Sequence, residues 1–133
     1  DLILLGTHGP AAGWTGADNV TARGHIVAEG AAAAGNMLAD PGIPEAMLAA
    51  LARTAGAPLA ERLLAALATA EVMGGDMRGT RSAALKVADR RGWATTDLRV
   101  DHQAEPLAEL ARLLELHRTP ELQTFLGRLP VRP

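Results

Sequence analysis

The segment "GGDMRGTRSAAL", residues 74–85, lies between two apolar stretches and combines three glycines with Asp76 and Arg78. Apolar side chains in residues 58–73 recur with the period of a helix, and residues 82–89 are typical of a strand. Glycine accepts the left-handed backbone conformation that closes a helix. The segment therefore predicts a tight turn from a helix into a strand, with two opposite charges at the junction.

Three interpretations of this turn can be compared. A phosphate loop requires G-x-x-x-x-G-K-[ST] between a strand and the following helix. Gly74 and Gly79 have that spacing, but Thr80 stands where lysine is needed and the order is helix then strand. We reject that interpretation. Two others stay open: a charged surface turn, or a cleft-lining pair that orients a substrate carboxylate or supports an oxyanion.

Composition narrows the function classes. The chain has 133 residues, enough for one domain, with 48% apolar and 21% charged residues. Only 2% are aromatic and the net charge is −2, which disfavours binding to single-stranded or duplex nucleic acid. Cysteine is absent, so this chain has no disulfide, thiolate metal site or cysteine nucleophile. No apolar run reaches the roughly 20 residues of a membrane span. The start at Asp1, directly before "LILL", favours a portion of a longer protein.

Periodicity and turn residues predict the secondary structure. Residues 17–30 are polar and punctuated by glycine, so we expect a loop. Residues 31–40 are ambiguous, because four alanines favour a helix but Gly30 and Gly35 bracket them closely. Strands are predicted at 2–5, 12–16, 82–89 and 95–101, and helices at 44–55, 58–73, from Pro106 and at 120–127. This order indicates a layered α/β or α+β domain with a mainly antiparallel sheet.

Other candidate groups carry weaker signals. Asp97, Arg99 and Asp101 share one face of a predicted strand, either a solvated face with weak ion pairs or part of a site. The four histidines have no metal-ligand spacing, and Ser82 lacks the G-x-S-x-G elbow. The dinucleotide fingerprint is also missing. We therefore expect neither a metal nor an organic cofactor.

Several segments in a fixed order resemble one family: "WTG" at 14–16, "GH" at 24–25, "GNML" at 35–38, "LAERLLAALATAE" at 59–71, "GGDMRGTRSAAL" and "DLRVD" at 97–101. They are similar to an uncharacterised prokaryotic domain of unknown function, number 1028, that is grouped with the N-terminal nucleophile (Ntn) hydrolases. The resemblance implies an α+β fold, the four-layer αββα sandwich with mainly antiparallel sheets. Residues 1–133 would be the C-terminal portion of one such domain, without its first strands.

The resemblance also implies a function. Ntn hydrolases cleave amide bonds with a Thr, Ser or Cys at the N-terminus of a chain. Asp1 cannot act in this way, so the nucleophile of an amide hydrolase would lie outside these residues and no catalytic residue is assigned. The alternative is a non-catalytic binding or assembly module for peptide or cell-wall fragments. The residues expected to line a site for a peptide or small-molecule substrate are Asn36, Asp76, Arg78, Arg99 and Asp101.

Further expectations concern the partners and the location of the protein. If strands are missing from the sheets, the surfaces they leave would be covered by an N-terminal segment or by a second copy in a homo-oligomer. We also expect a cytoplasmic protein without nucleic-acid or membrane partners. Where family members tend to carry a second acid and then a histidine after "LRVD", this chain has His102 and Gln103. No role is therefore assigned to His102.

Overall fold

The computed structural model describes residues 1–20, 22–90 and 93–129. They form a mixed α/β structure with small antiparallel sheets and four helices. The described residues divide into two compact units. The first comprises Asp1–Ala57 and Ala65–Gly79, and the second comprises Pro58–Leu64 and the residues from Thr80 onward. The predicted antiparallel pairing is confirmed in both.

Two antiparallel hairpins build the sheets of the first unit: β1 (Leu2–Leu4) with β2 (Ala12–Trp14), and β3 (Gly24–Ala28) with β4 (Ala31–Gly35). The strands of one hairpin contact those of the other. The loop predicted over residues 17–30 is therefore wrong for its second half. Ala28 pairs with Ala31 across a two-residue connection, and Gly30 has a φ of +67°. Such a connection favours a hairpin where flanking strands can pair.

The alanine-rich stretch becomes strand β4 and not a helix. Ala33 is 5% exposed, because helix α1 (Ile43–Arg53) packs against β3 and β4. Pro44 lies in the first turn of α1 as predicted, and Ile43 and Ala50 face the same core. Four alanines are too few to nucleate a helix by propensity alone. Cross-strand pairing and burial under α1 decide their conformation.

Helix α2 (Leu59–Val72) confirms the second predicted helix, and Gly74 and Gly75 end it with φ values of +104° and +54°. Its residues up to Leu64 belong to the second unit and the rest to the first. The predicted apolar stripe of α2 is only half-buried, and the buried residue of the helix is Ala66, which lies beside the stripe. At 100° per residue Ala66 lies about 60° around the helix from Leu63, so periodicity located the helix but not the centre of its buried face.

The second unit is built on one hairpin and two further helices. Strand β5 (Ala83–Ala88) pairs antiparallel with β6 (Ala94–Val100), opposing Leu85 to Leu98. Helix α3 (Pro106–His117) packs on both strands, and α4 (Pro120–Leu126) packs on α3. All four elements agree with the predictions, although residues 91 and 92 of the predicted connection "RRGWA" lie outside the described residues. The core of this unit comprises Leu85, Thr96, Val100, Pro106, Leu110 and Leu114.

The first helical position of α4 also follows the prediction, with Pro120 after Thr119. Threonine is a common N-cap residue, but the Thr119 side chain does not cap α4. Its Oγ1 donates to the Leu116 carbonyl 2.9 Å away. The hydroxyl thus completes the end of α3, which leaves α4 without a side-chain cap.

Candidate functional site

Backbone pairing holds two of the predicted segments together in the first unit. The Ala39 N–H donates to the Gly75 carbonyl at 2.9 Å, and the Met77 N–H donates to the Met37 carbonyl at 2.8 Å. Leu38 and Asp76 thereby form an antiparallel bridge. The "GNML" and "GGDMRG" segments, distant in sequence, are neighbours in the fold. The exposed Asn36 precedes one of the paired segments, and Asp76 lies within the other.

Asp76 and Arg78 form a closed turn. Asp76 Oδ1 accepts hydrogen bonds from the Arg78 backbone N–H at 2.8 Å and from its Nε at 2.9 Å, while Oδ2 accepts from a guanidinium nitrogen at 2.6 Å. The Gly79 N–H then donates to the Asp76 carbonyl at 2.8 Å, with a φ of +88° at Gly79. Asp76 therefore acts as the acceptor that shapes the turn, and the glycine supplies the conformation that ends it.

Electrostatics fix the ionisation state of this pair. The Arg78 guanidinium, followed by its backbone N–H, lowers the pKa of Asp76 to about 2, and Asp76 in turn raises the pKa of Arg78. A carboxylate with so low a pKa is a poor general base near neutral pH. The Asp76 carboxylate instead holds the Arg78 guanidinium in one orientation.

The two side chains of the junction differ in their exposure to solvent. The Arg78 side chain is 66% exposed, and that of Asp76 is 29% exposed. The carboxylate is therefore the more sheltered of the two charged groups. The guanidinium is consequently accessible to a ligand from solvent.

The other predicted pair, Arg99 and Asp101, belongs to the second unit. A guanidinium nitrogen of Arg99 lies 2.7 Å from Asp101 Oδ1, and the side chains are 67% and 78% exposed. Asp101, with Asp97 as a smaller cause, raises the pKa of Arg99. Lys86 and Asp97 form a further ion pair at 3.0 Å on the same hairpin. This geometry is that of a solvated strand face, one of the two interpretations left open by the sequence.

Sequence reasoning missed a hydroxyl–imidazole pair in the first unit. Thr15 Oγ1 and His25 Nδ1 are 2.8 Å apart, within hydrogen-bond distance. The imidazole lies against Gly13, where a Cβ atom would come within 2.2 Å of the ring carbon Cδ2. The segments "WTG" and "GH" contribute to the family resemblance, but nothing in their spacing indicates that the two side chains meet.

A cavity in the second unit was also missed. Its volume is about 320 Å³, and its lining includes Glu61, Thr95, Thr96, His117 and Arg118. His117 Nε2 lies 2.9 Å from the Thr95 carbonyl oxygen and 3.3 Å from Thr96 Oγ1. Because a carbonyl only accepts, Nε2 is the nitrogen that carries hydrogen. The imidazole therefore anchors the end of α3 to β6.

The charged groups at this cavity are paired with each other. An Arg118 guanidinium nitrogen lies 2.9 Å from Glu61 Oε1 and 3.6 Å from Glu115 Oε1. Glu61 Oε1 is shielded from water, and its contact with Arg118 is an ion pair without hydrogen-bond alignment. The cavity thus has polar walls whose charges are already compensated.

A comparison with known protein families shows the family to which this chain belongs. Residues 1–110 match DUF1028, a family of unknown function. The chain belongs to this family. The match extends from β1 into the first turns of α3 and includes all five predicted site residues, which confirms the DUF1028 family predicted from the ordered segments.

A crystal structure of one family member is similar to this DUF1028 chain. It is protein SPO2555 from Silicibacter pomeroyi, which superposes with a TM-score of 0.77 at 30% sequence identity. The similarity covers 91% of this chain and 53% of that protein, so the chain spans about half the length of SPO2555. No curated protein matches the chain.

Metal ligands and membrane-spanning helices bear on the chemistry open to this DUF1028 chain. Within the described residues, no three His, Asp or Glu side chains converge as a metal site would require. Across residues 1–20, 22–90 and 93–129, none of the helices has the length and apolar character needed to cross a bilayer. In the described part of the chain, polar and charged side chains come together at the Asp76–Arg78 turn, at the Thr15–His25 pair and at the cavity beside His117.

Proposed function

We propose that this chain is the C-terminal portion, residues 1–133, of a single domain with the four-layer αββα sandwich of the Ntn hydrolases. The whole protein hydrolyses amide bonds of small-molecule or peptide substrates, without a metal or organic cofactor. Family membership, the resemblance of the ordered segments and the greater length of SPO2555, of which the similarity covers 53%, support this proposal. The nucleophile lies outside these residues, with its own α-amino group as base.

The observation that carries the proposal is the fixed direction of the Arg78 guanidinium. Asp76 holds it through two side-chain hydrogen bonds, yet the arginine remains 66% exposed. A planar guanidinium held in this way can bind a carboxylate or an amide carbonyl of a substrate. The Asn36 side chain supplies a donor and an acceptor near the paired segments. In this proposal Asn36, Asp76 and Arg78 orient the substrate within the first unit, and Arg99 and Asp101 are lining residues of the second unit only.

The alternative is a non-catalytic module that binds peptide or cell-wall fragments on the same fold. One observation favours it: the ionised Asp76 and the paired arginines can bind a ligand, but none of them is suited to proton transfer near pH 7. The two proposals differ in one result, turnover by the full-length protein.

Apolar side chains on the first hairpin motivate the proposed partners. Leu2, Leu4 and Trp14 are 53%, 60% and 64% exposed and lie in one hairpin. An upstream segment or a second copy in a homo-oligomer would cover them, since an apolar surface of this kind favours association. We further propose a cytoplasmic prokaryotic protein with neither nucleic-acid nor membrane partners.

The test uses the full-length protein and a panel of short peptides. Each peptide is prepared in two forms, one with a free C-terminal carboxylate and one with an amidated C-terminus. We expect turnover, and mass spectrometry of trapped acyl-enzyme should place the nucleophile outside residues 1–133. Arg78→Gln should raise KM by roughly three- to tenfold for the free-carboxylate substrates only, because an exposed charge-assisted bond is modest.

Arg112→Gln is the matched control. Arg112 is 58% exposed and forms a comparable two-bond pair with Glu109, on helix α3. The Arg112→Gln variant should leave KM unchanged for both series of substrates. Binding without turnover would overturn the hydrolase and leave the binding module, whereas neither binding nor turnover would overturn both.

A further inference from the structure

We infer that Thr15 and His25 form a nucleophile–base pair that takes an acyl group from small carboxylic esters. Thr15 Oγ1 and His25 Nδ1 are 2.8 Å apart, the distance that connects an activated hydroxyl to its base. The proposed N-terminal nucleophile does not use these side chains. The pair is therefore a second, independent reaction site within the first unit.

The backbone prepares the position of the imidazole. Gly13 and Thr15 are two residues apart along β2 and its extension, so they present to the same side. His25 in the neighbouring strand β3 places its ring against Gly13, where any larger residue would displace it. The absent side chain at residue 13 leaves room for the ring while Nδ1 reaches the hydroxyl. Glycine thus acts as the third group that orients the base.

Accessibility agrees with a reacting pair. Thr15 is half-buried, which limits the motion of its hydroxyl, and His25 is exposed, so one side of the pair is open to solvent. An open site has no enclosed pocket for a large substrate. Small activated esters are the class that fits, because an alcohol leaves more easily than an amine and requires less help from the protein.

The reaction balances with water as the only co-reactant. Thr15 Oγ attacks the ester carbonyl carbon while its proton moves to His25 Nδ1. The C–O bond to the alcohol breaks, and the imidazolium returns that proton to the departing oxygen. Water then attacks the threonyl ester, gives its proton to His25, and releases the carboxylic acid as Thr15 recovers the proton.

A second threonine–histidine contact offers an internal comparison. Thr7 Oγ1 and His8 Nδ1 are 3.1 Å apart, but these residues are adjacent in sequence and exposed. No glycine seat is found against the His8 ring among the described residues. If proximity alone produced reactivity, Thr7 would react as Thr15 does.

The experiment treats the protein with p-nitrophenyl acetate, follows nitrophenolate release, and maps the acetyl group by peptide mass spectrometry. We expect acetylation on Thr15. Thr15→Val and His25→Gln should each reduce the rate at least tenfold, and the double variant should be no slower than either, because the pair acts as a unit. Thr15→Ser should keep the activity, and Thr7→Val is the matched control that should equal wild type.

The outcomes separate this inference from the proposed function. Acetyl on Thr7, on lysine or on the N-terminus, or a rate unaffected by Thr15→Val, would overturn it. The mapping on the wild-type protein requires no variant to fold. In the full-length protein, Thr15→Val should leave peptide-amide turnover unchanged, so a failure of one activity is distinguishable from a failure of the other.

Discussion

Removing the Asp76 carboxylate should destabilise the turn by a moderate amount. In Asp76→Asn the amide oxygen can still accept the Arg78 backbone N–H, whereas Asp76→Ala loses that bond and the guanidinium pair together. A backbone hydrogen bond contributes about 0.5–1.5 kcal/mol and an exposed ion pair about 0–1 kcal/mol. We therefore expect a loss of about 1–2 kcal/mol for alanine and about half of that for asparagine.

The pKa of Asp76 provides a second estimate. Its displacement from 3.8 to about 2 would correspond to roughly 2.5 kcal/mol if it were undiminished. Water around the exposed guanidinium screens the pair, so the smaller figure of about 1–2 kcal/mol is expected. Both estimates lie below the 3–5 kcal/mol that breaking a buried ion pair costs.

The assay is urea unfolding followed by circular dichroism at a series of pH values. Because folding lowers the pKa of Asp76, its ionised form contributes stability in full above about pH 4, and this is lost as the pH falls towards 2. Wild type and Asp76→Asn should therefore converge near pH 2. Asp101→Asn, at a carboxylate that is 78% exposed, is the control and should change the unfolding free energy by less than about 0.5 kcal/mol.

Two results would refute this reasoning. A loss of 3 kcal/mol or more in Asp76→Asn at pH 7 would mean that the pair is desolvated. A loss in Asp76→Ala equal to that of the Asp101 control would mean that the turn forms without the carboxylate.

Two other substitutions test the packing, both by urea unfolding. Leu110→Ala removes a side chain with no exposed surface and should lower the unfolding free energy by about 2–5 kcal/mol. Leu116 lies on the same helix and is 49% exposed, so Leu116→Ala should lower it by less than about 1 kcal/mol. Equal losses would contradict the assigned buried face of α3. Gly74→Ala should lower the unfolding free energy by about 1–3 kcal/mol, because φ is +104° and the new Cβ would meet Ala39 at 2.6 Å. Gly56 has open space around it, so Gly56→Ala should be near neutral. A loss in Gly56→Ala as large as that in Gly74→Ala would contradict the turn at Gly74.

The elements predicted correctly from sequence are those whose signals are local. Helix α3 carries its leucines at helical spacing and starts at Pro106, and β6 alternates between Leu98 and the outward Arg99. Periodicity reports these patterns directly. Strand β4 has no such pattern, because its four alanines and one glycine differ little between its two faces. Its conformation depends on pairing and on coverage by α1, which the sequence does not display.

The same distinction separates the candidate sites. Asp76 and Arg78 are two residues apart, and their turn could be predicted because the glycines around them mark it. Thr15 and His25 are brought together by the packing of one hairpin on another, and His117 meets Thr95 across the contact of α3 with β6. Single threonines and histidines have no distinguishing neighbours in the sequence. Contacts of this kind become visible only when the chain has folded.

The long separation between the 37–39 and 75–77 segments has a consequence for the order of folding. In the second unit, β5, β6 and α3 follow one another in sequence and pack on their immediate neighbours, so little loop entropy opposes their assembly. Joining Met37 to Met77 requires closing a much longer loop, with α1 and α2 inside it. We expect that junction to form after the main folding barrier. Changes at Asp76 would then accelerate unfolding and leave the folding rate nearly unchanged.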